Sequence, residues 1–346
     1  MTPLILMTLA LAGCGREATP TPAHCAAAER HDILTDDGAA LALHRHPAEG
    51  APVLIVHGIS SNRHSWDLDA DRSLASWLAA EGFDAWLLDL RGHGDSTRDA
   101  RGHAQRSGWS VDDYGQHDVP AAIAHIRRVT GAEKVAYVGH SMGGIVGAIY
   151  ATTVPTAARD LSAMVAVGSP MDFSDPDPVI GAALQLAALS GPLLPVVQSP
   201  MGADLHAAIG GNPLPVDSML YNDIADPEVR ATMYRSIVSP LSGGEMKQFG
   251  LLRSGGGFRS ADGQVDYLEA LADVQIPLMV IAGRADNIAP VDRVLPYYQR
   301  AGSPEKSFVL AGRAAGFSAD YGHMDLTLGD HAAEEIYPLI RDWIDR

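Results

Sequence analysis

Short apolar runs punctuate the chain at residues 53–56, 85–88, 135–138, 164–167, 278–281 and 307–310. Each is too short for a stable helix and too continuous for a half-exposed strand. Such runs predict strands of a parallel sheet covered on both faces. Helical patterns fall between them. Residues 73–78 lead toward Gly82 as a C-cap, and residues 119–129 follow Asp118 as an N-cap. Further helical patterns occupy residues 145–154, 291–300 and 331–343. Strands alternating with helices predict an α/β fold with a mostly parallel, doubly wound central sheet. Residues 33–35 and 41–43 alternate weakly and predict an antiparallel leading hairpin that turns at Asp36-Asp37-Gly38. No internal repeat is visible.

The rhythm breaks between residues 172 and 263, a stretch rich in Gly, Pro and Met with no clear strand. It reads as a mainly helical cap inserted into a core made of residues 31–171 and 264–346. Within it, residues 179–197 carry Gln185 as their one strongly polar side chain. That length would permit a membrane span. Gly181, Gly191, Pro192 and Pro195 favour shorter, broken helices instead, buried in the cap or forming a lid against lipid or substrate. Gly255-Gly256-Gly257 reads as flexible cap backbone, since it lacks phosphate-loop spacing.

The N-terminus has its own pattern. An apolar run over residues 4–12 ends in Gly13-Cys14. It falls well short of the ~20 residues a bilayer span needs and reads as a secretory signal over residues 1–13. Residues 14–30, rich in Pro, Thr and Ala, read as a tether. The chain has two cysteines, Cys14 and Cys25, too few for a disulfide framework.

Composition and charge narrow the partners. In a chain of 346 residues, 47% hydrophobic and 19% charged residues describe a globular protein rather than a disordered one. A formal net charge of −17 argues against nucleic acid and anionic lipid as partners. His44-Arg45-His46 reads as a solvated strand end, because no partner ligands sit at metal spacing. Neither a metal nor a cofactor is called for.

The chemistry concentrates in Gly139-His140-Ser141-Met142-Gly143, which follows one predicted strand and opens a helix. A sharp strand-to-helix turn demands small flanking residues, which Gly139 and Gly143 supply, and it projects the Ser141 hydroxyl at the carboxyl end of the sheet. A hydroxyl is a weak nucleophile and needs a base. His323, after the last predicted strand, is the candidate. The acid that would orient it is expected after the strand at residues 278–281, where Asp286 lies. Asp172, after the preceding strand, is the alternative acid, and Asp325 reads as a loop brace. Two backbone N–H groups should meet a developing oxyanion. These are Met142, next to the serine, and Ile59, in the loop after the first core strand, with Gly58 letting the backbone approach. His57 reads as a stabiliser of that loop.

Together, His57-Gly58, Asp89-Leu90-Arg91-Gly92-His93-Gly94-Asp95-Ser96, the turn at residues 139–143, the Asp286 loop and Gly322-His323 resemble the α/β-hydrolase superfamily from about residue 31 onward. The ending Tyr321-Gly322-His323-Met324-Asp325-Leu326 is similar to that of acid lipases and polyhydroxyalkanoate synthase-like hydrolases. The synthases carry cysteine at the turn, so serine there favours hydrolysis. Leu11-Ala12-Gly13-Cys14 resembles the bacterial lipobox, which implies lipid on Cys14 and an exported protein anchored to a membrane of the cell envelope. The expected function is that of a carboxylic ester hydrolase working through an acyl-enzyme, on a small-molecule or lipid ester. An aminopeptidase-like hydrolase would need a cap carboxylate near Ser141, from among Asp204, Asp217, Glu228 and Glu245. A non-catalytic binding protein on the same scaffold is the remaining alternative.

Overall fold

A computed structural model describes residues 28–103, 108–174, 220–252 and 255–346, together with the backbone of residues 196–197. The leader, Cys14, most of the tether and most of residues 179–197 therefore lie outside the described residues. Eight strands form one sheet in the order β1-β2-β4-β3-β5-β6-β9-β10. They are β1 (Glu29–Leu34), β2 (Ala40–His46), β3 (Pro52–Val56), β4 (Asp84–Asp89), β5 (Val135–His140), β6 (Leu161–Val167), β9 (Leu278–Gly283) and β10 (Lys306–Ala311). β2 runs antiparallel to β1 and β4, and every other neighbouring pair is parallel. This is the α/β-hydrolase fold, and all six apolar runs lie in its parallel part. The leading hairpin forms as expected, with Leu34 opposite Ala40 and Gly38 at φ +94° in its turn.

Every residue of β3, β4, β5 and β9 is buried, because helices cover both sheet faces. On one face Leu54, Val56, Trp86, Tyr137 and Val280 pack under α3 (Val119–Thr130), α4 (Met142–Thr153) and α9 (Val291–Arg300). On the other, Val53, Ile55, Val138 and Ile281 pack under α1 (Leu74–Ala80) and α12 (Tyr337–Ile344). The Ser73 hydroxyl accepts the Ser76 N–H to cap α1, and Gly82 follows its end at φ +95°.

Four local expectations are corrected. Asp118 is not an N-cap. The chain turns helical at α2 (Val111–Asp113) and continues through a π-helical turn at Tyr114–Asp118, so Asp118 sits inside helical backbone. Its carboxylate instead accepts the Arg91 N–H (3.0 Å) and Nε–H (2.7 Å), while the Arg91 Nη groups reach Asp37 at 2.5 and 2.9 Å. A buried guanidinium outbid the local cap signal. His44-Arg45-His46 is not a solvated end either. β2 is flanked on both edges, so His44 and His46 are buried, with His46 Nε2 3.1 Å from Asp67 Oδ2. The Gly255-Gly256-Gly257 backbone is pinned, because Phe173 N–H donates to Gly256 O and Phe258 N–H donates to Met171 O. The last helix is interrupted at Ile336, between α11 (Ala332–Glu335) and α12, where Pro338 occupies the first turn.

Between β6 and β9 lies the helical insertion. Its described parts are α6 (Pro227–Ile237), α7 (Gly243–Leu251) and a two-residue antiparallel ladder of β7 (Val196–Val197) with β8 (Leu241–Ser242), a region where no strand was expected. Ser242 and Glu245 close a capping box on α7. Glu245 is fully buried, and its Oε1 lies 3.7 Å from His93 Nε2 of the core. Among the described residues no helix is long and apolar enough to cross a membrane.

His57 follows β3 and is fully buried. Its Nε2 accepts the Leu90 N–H (3.1 Å), which places the proton on Nδ1, 2.8 Å from Gly58 O. Burial, reinforced by the His93 ring 5.1 Å away, pushes its pKa down to about 3.

Two predictions follow from this packing. Arg91→Met strands the buried Asp118 charge and should cost about 3–5 kcal/mol in urea unfolding; an unchanged midpoint would contradict the assignment. His57 binds its proton less readily folded than unfolded. Its contribution is therefore flat above the unfolded pKa of 6.5 and is lost as pH falls from there toward 3. His57→Gln should lower stability at pH 8. It should also remove a slope of up to about 1.4 kcal/mol per pH unit from the acid limb, as read from urea midpoints between pH 4 and 8.

Candidate active site

The loops after β3, β5, β9 and β10 all leave the carboxyl end of the sheet, where open α/β sheets place their ligands. The turn after β5 is the sharpest. Ser141 sits at φ 54°, ψ −118°, and is one of two non-glycine residues with positive φ among those described. Such a conformation costs about 1–3 kcal/mol and survives only where its surroundings enforce it. Here a Cβ at Gly139 would fall 2.4 Å from the Gly143 carbonyl, and one at Gly143 would fall 2.5 Å from Val56 O. The Ser141 N–H is anchored on Val167 O at 2.8 Å. α4 begins at Met142, whose N–H has no carbonyl partner within the helix. Tyr137 and Tyr297 hydroxyls donate to the Gly143 and Gly144 carbonyls at 2.6 and 2.9 Å and so brace the first turn of α4.

His323 and Asp286 meet directly. His323 Nδ1 lies 2.8 Å from Asp286 Oδ2, and Asp286 Oδ1 accepts the Ile288 and Ala289 N–H groups at 2.9 and 2.7 Å. A carboxylate only accepts, so His323 donates its Nδ1–H to Asp286. Both residues are buried, like Ser141. The ring of His323 lies 4.5 Å from that of His140, the residue before Ser141. Gly168, at φ +55°, leaves room for the pair: a Cβ there would sit 3.4 Å from Asp286 Oδ2 and 3.5 Å from His323 Nδ1. Asp172 is elsewhere engaged, its Oδ1 accepting the Ser174 N–H and hydroxyl. Asp325 braces the loop as expected. Its Oδ2 accepts the Gly322 and Asn222 N–H groups, both at 2.6 Å.

The Gly58-Ile59 loop closes the other side. A Cβ at Gly58 would lie 3.1 Å from Ser141 Cβ, and Ile59 packs against the core. Ser60, at φ 52°, is clamped to the insertion: its hydroxyl donates to Ser239 O at 2.8 Å, and its carbonyl accepts the Ser239 N–H at 3.0 Å. Asn62 Nδ2 donates to Ser236 O and Ser239 Oγ. Sequence reading missed Ser239, Asn62, Tyr137 and Tyr297. No spacing rule pairs Ser60 with Ser239 across 179 residues, and a strand tyrosine reads as core.

Two described clusters have ligand-compatible spacing, His44-Asp89-Asp95 and Asp36-Asp37-His117. In each, an arginine of the protein already pairs with a carboxylate. Arg63 Nη1 sits 2.8 Å from Asp89 and 3.2 Å from Asp95, and Arg91 and His117 take Asp37 and Asp36.

The chain is similar to known proteins in sequence and in fold. A stretch of 138 residues is 38% identical to triacylglycerol lipase 2 of Arabidopsis thaliana, covering 34% of this chain and 32% of that protein. Another of 153 residues is 33% identical to the lysosomal acid lipase/cholesteryl ester hydrolase of Homo sapiens, covering 40% and 38%. The chain thus spans about a third of the length of the curated relatives it matches. A soluble variant of monoglyceride lipase from Saccharomyces cerevisiae superposes with a TM-score of 0.65 at 16% identity, over 94% of this chain and 98% of that one. With residues 51–325 matching the family described as alpha/beta hydrolase fold, this chain belongs to that family.

Proposed function

We propose that the chain is a serine hydrolase of the esterase/lipase type that cleaves carboxylic esters without a cofactor. The observation that carries this reading is the buried His323–Asp286 hydrogen bond beside the strained turn of Ser141. In the proposed cycle, the Ser141 hydroxyl loses its proton to His323 Nε2 as its oxygen bonds the ester carbonyl carbon. Asp286 holds the tautomer and stabilises the imidazolium. The N–H groups of Met142 and Ile59 receive the oxyanion. The alcohol departs with the proton from His323, leaving an acyl-serine. Water then gives a proton to His323 as its oxygen bonds the acyl carbon, and the acyl–oxygen bond to Ser141 breaks as His323 returns that proton to the serine oxygen, releasing the acid.

Ester substrates are favoured over peptides by two considerations. The named relatives are lipases, triacylglycerol lipase 2 and the lysosomal acid lipase among them. An aminopeptidase needs a carboxylate for the substrate ammonium. Of the four cap acids named above, Glu245 is buried against Ser242 N–H and the His93 ring, and Glu228 lies exposed in the first turn of α6; Asp204 and Asp217 lie outside the described residues. The insertion at residues 172–263 would serve as the cap. The Leu11-Ala12-Gly13-Cys14 sequence supports export and lipid attachment at Cys14, which would hold the enzyme at a membrane of the cell envelope.

Wild-type protein should label with a fluorophosphonate and hydrolyse nitrophenyl esters. Ser141→Ala should abolish both, and Asp286→Asn should lower kcat by roughly 10⁴-fold with little change in KM. Equal labelling of Ser141→Ala would refute the mechanism. The intact mass of the mature protein purified from membranes should match an acylated N-terminal Cys14, and Cys14→Ser should move the protein to the soluble fraction. A mature chain that retains residues 1–13 would overturn the anchor.

A further inference from the structure

His140 lies between the two catalytic loops, and the hydrolase mechanism just described gives it no task. It is buried, 2% exposed, at the last position of β5. Its Nε2 lies 3.1 Å from the carbonyl oxygen of His323. A carbonyl only accepts, so Nε2 carries the ring proton and Nδ1 holds the lone pair. On that second side the ring faces Gly58: a Cβ built on Gly58 would come within 3.4 Å of His140 Nδ1. Trp66 closes the ring edge-on at 6.0 Å, and its Nε1–H is itself tied to Val56 O. One rigid imidazole therefore touches the loop that carries His323 and the loop that carries Ile59, from the position next to Ser141.

We infer that His140 is a positioning residue that sets the distance between the His323 loop and the Gly58-Ile59 loop across Ser141, acting as a neutral Nε2–H donor. Neutrality matters as much as shape. The His323 ring lies 4.5 Å away and must become an imidazolium during the reaction. A second positive ring there would oppose that charge. Burial, together with the neighbouring His323, pushes the His140 pKa well below the usual histidine range, which favours the uncharged ring. Glutamine at this position could still present an amide N–H to the carbonyl. Leucine fills similar space with no donor, and the His323 carbonyl then loses its partner.

The inference rests on the proposed hydrolase reading for its kinetic arm and is independent of it in its spectroscopic arm. In steady-state hydrolysis of a nitrophenyl ester, His140→Leu should lower kcat by about 10- to 100-fold, the scale expected when a reacting group is misplaced by up to an ångström. KM should stay within about twofold. His140→Gln should recover most of the loss. A kcat for His140→Leu within twofold of wild type, or equal losses in both variants at matched thermal stability, would overturn the positioning role. In ¹⁵N-histidine spectra, with His323→Asn used for assignment, His140 should keep its Nε2–H tautomer from pH 5 to 9. His140→Leu should shift the His323 ring signals. A titrating His140, or an unmoved His323, refutes the inference even if the wild-type protein proves to have no esterase activity; absent activity and labelling would refute the hydrolase reading instead.

Discussion

The site depends on a steric constraint: the backbone at Ser141 is held at positive φ by contacts no side chain could tolerate. Gly139 presses on Gly143, and Gly143 presses on the carbonyls of Val56 and His57. Those carbonyls belong to β3 and the residue after it, so the turn after β5 and the loop after β3 are packed against each other before any side chain is considered. The strain is stored by a core that is buried on both sheet faces and cannot yield cheaply. Much of the fold can therefore be read as a mount for one residue: β5 delivers Ser141, α4 begins immediately after it, and Tyr137 and Tyr297 tie down the first carbonyls of that helix.

Second to the turn is the arrangement of the histidines. His57 and His140 are buried and kept neutral, each with its tautomer dictated by a backbone group, Leu90 N–H for one and His323 O for the other. His323 alone among these three is set against a carboxylate. Environment thus divides the rings by role. Two have their tautomers set by backbone groups, and the third has an acid behind it. Identical side chains acquire different chemistry from what each Nδ1 and Nε2 faces.

The legibility of the sequence follows the same physics. The strands could be read because a strand covered on both faces shows a continuous apolar run, and the turn because close backbone approach leaves glycines behind. Asp286 and His323 were legible through chain order relative to those strands, a topological signal rather than a local one. The misreadings share a cause. Asp118 before Val119-Pro120 has the local form of a cap, but a buried guanidinium at Arg91 claimed it across 27 residues. His44 and His46 look solvated because polar, yet β1 and β4 enclose their strand. Local rules lose wherever a distant charge or neighbouring strand offers a larger free-energy difference than a cap or a solvated end.

The insertion shows the same hierarchy at domain scale. Its described parts meet the core through hydrogen bonds, Ser239 on Ser60, Asn222 on Asp325 and the Leu220 carbonyl on the Met324 N–H, and through an apolar cluster of Tyr221, Ile224, Met233 and Ile237 with Met324 and Leu328. The three hydrogen bonds land beside Ile59 and His323. The apolar contacts alone would tolerate sliding, because dispersion is non-directional. Hydrogen bonds to backbone groups are directional, and a buried donor or acceptor left unpaired costs about 1–3 kcal/mol. Displacing the insertion would therefore disturb the Gly58-Ile59 loop and the His323 loop together, in discrete steps. That coupling makes the segment between β6 and β9 part of the site's framework rather than an appendage resting on it.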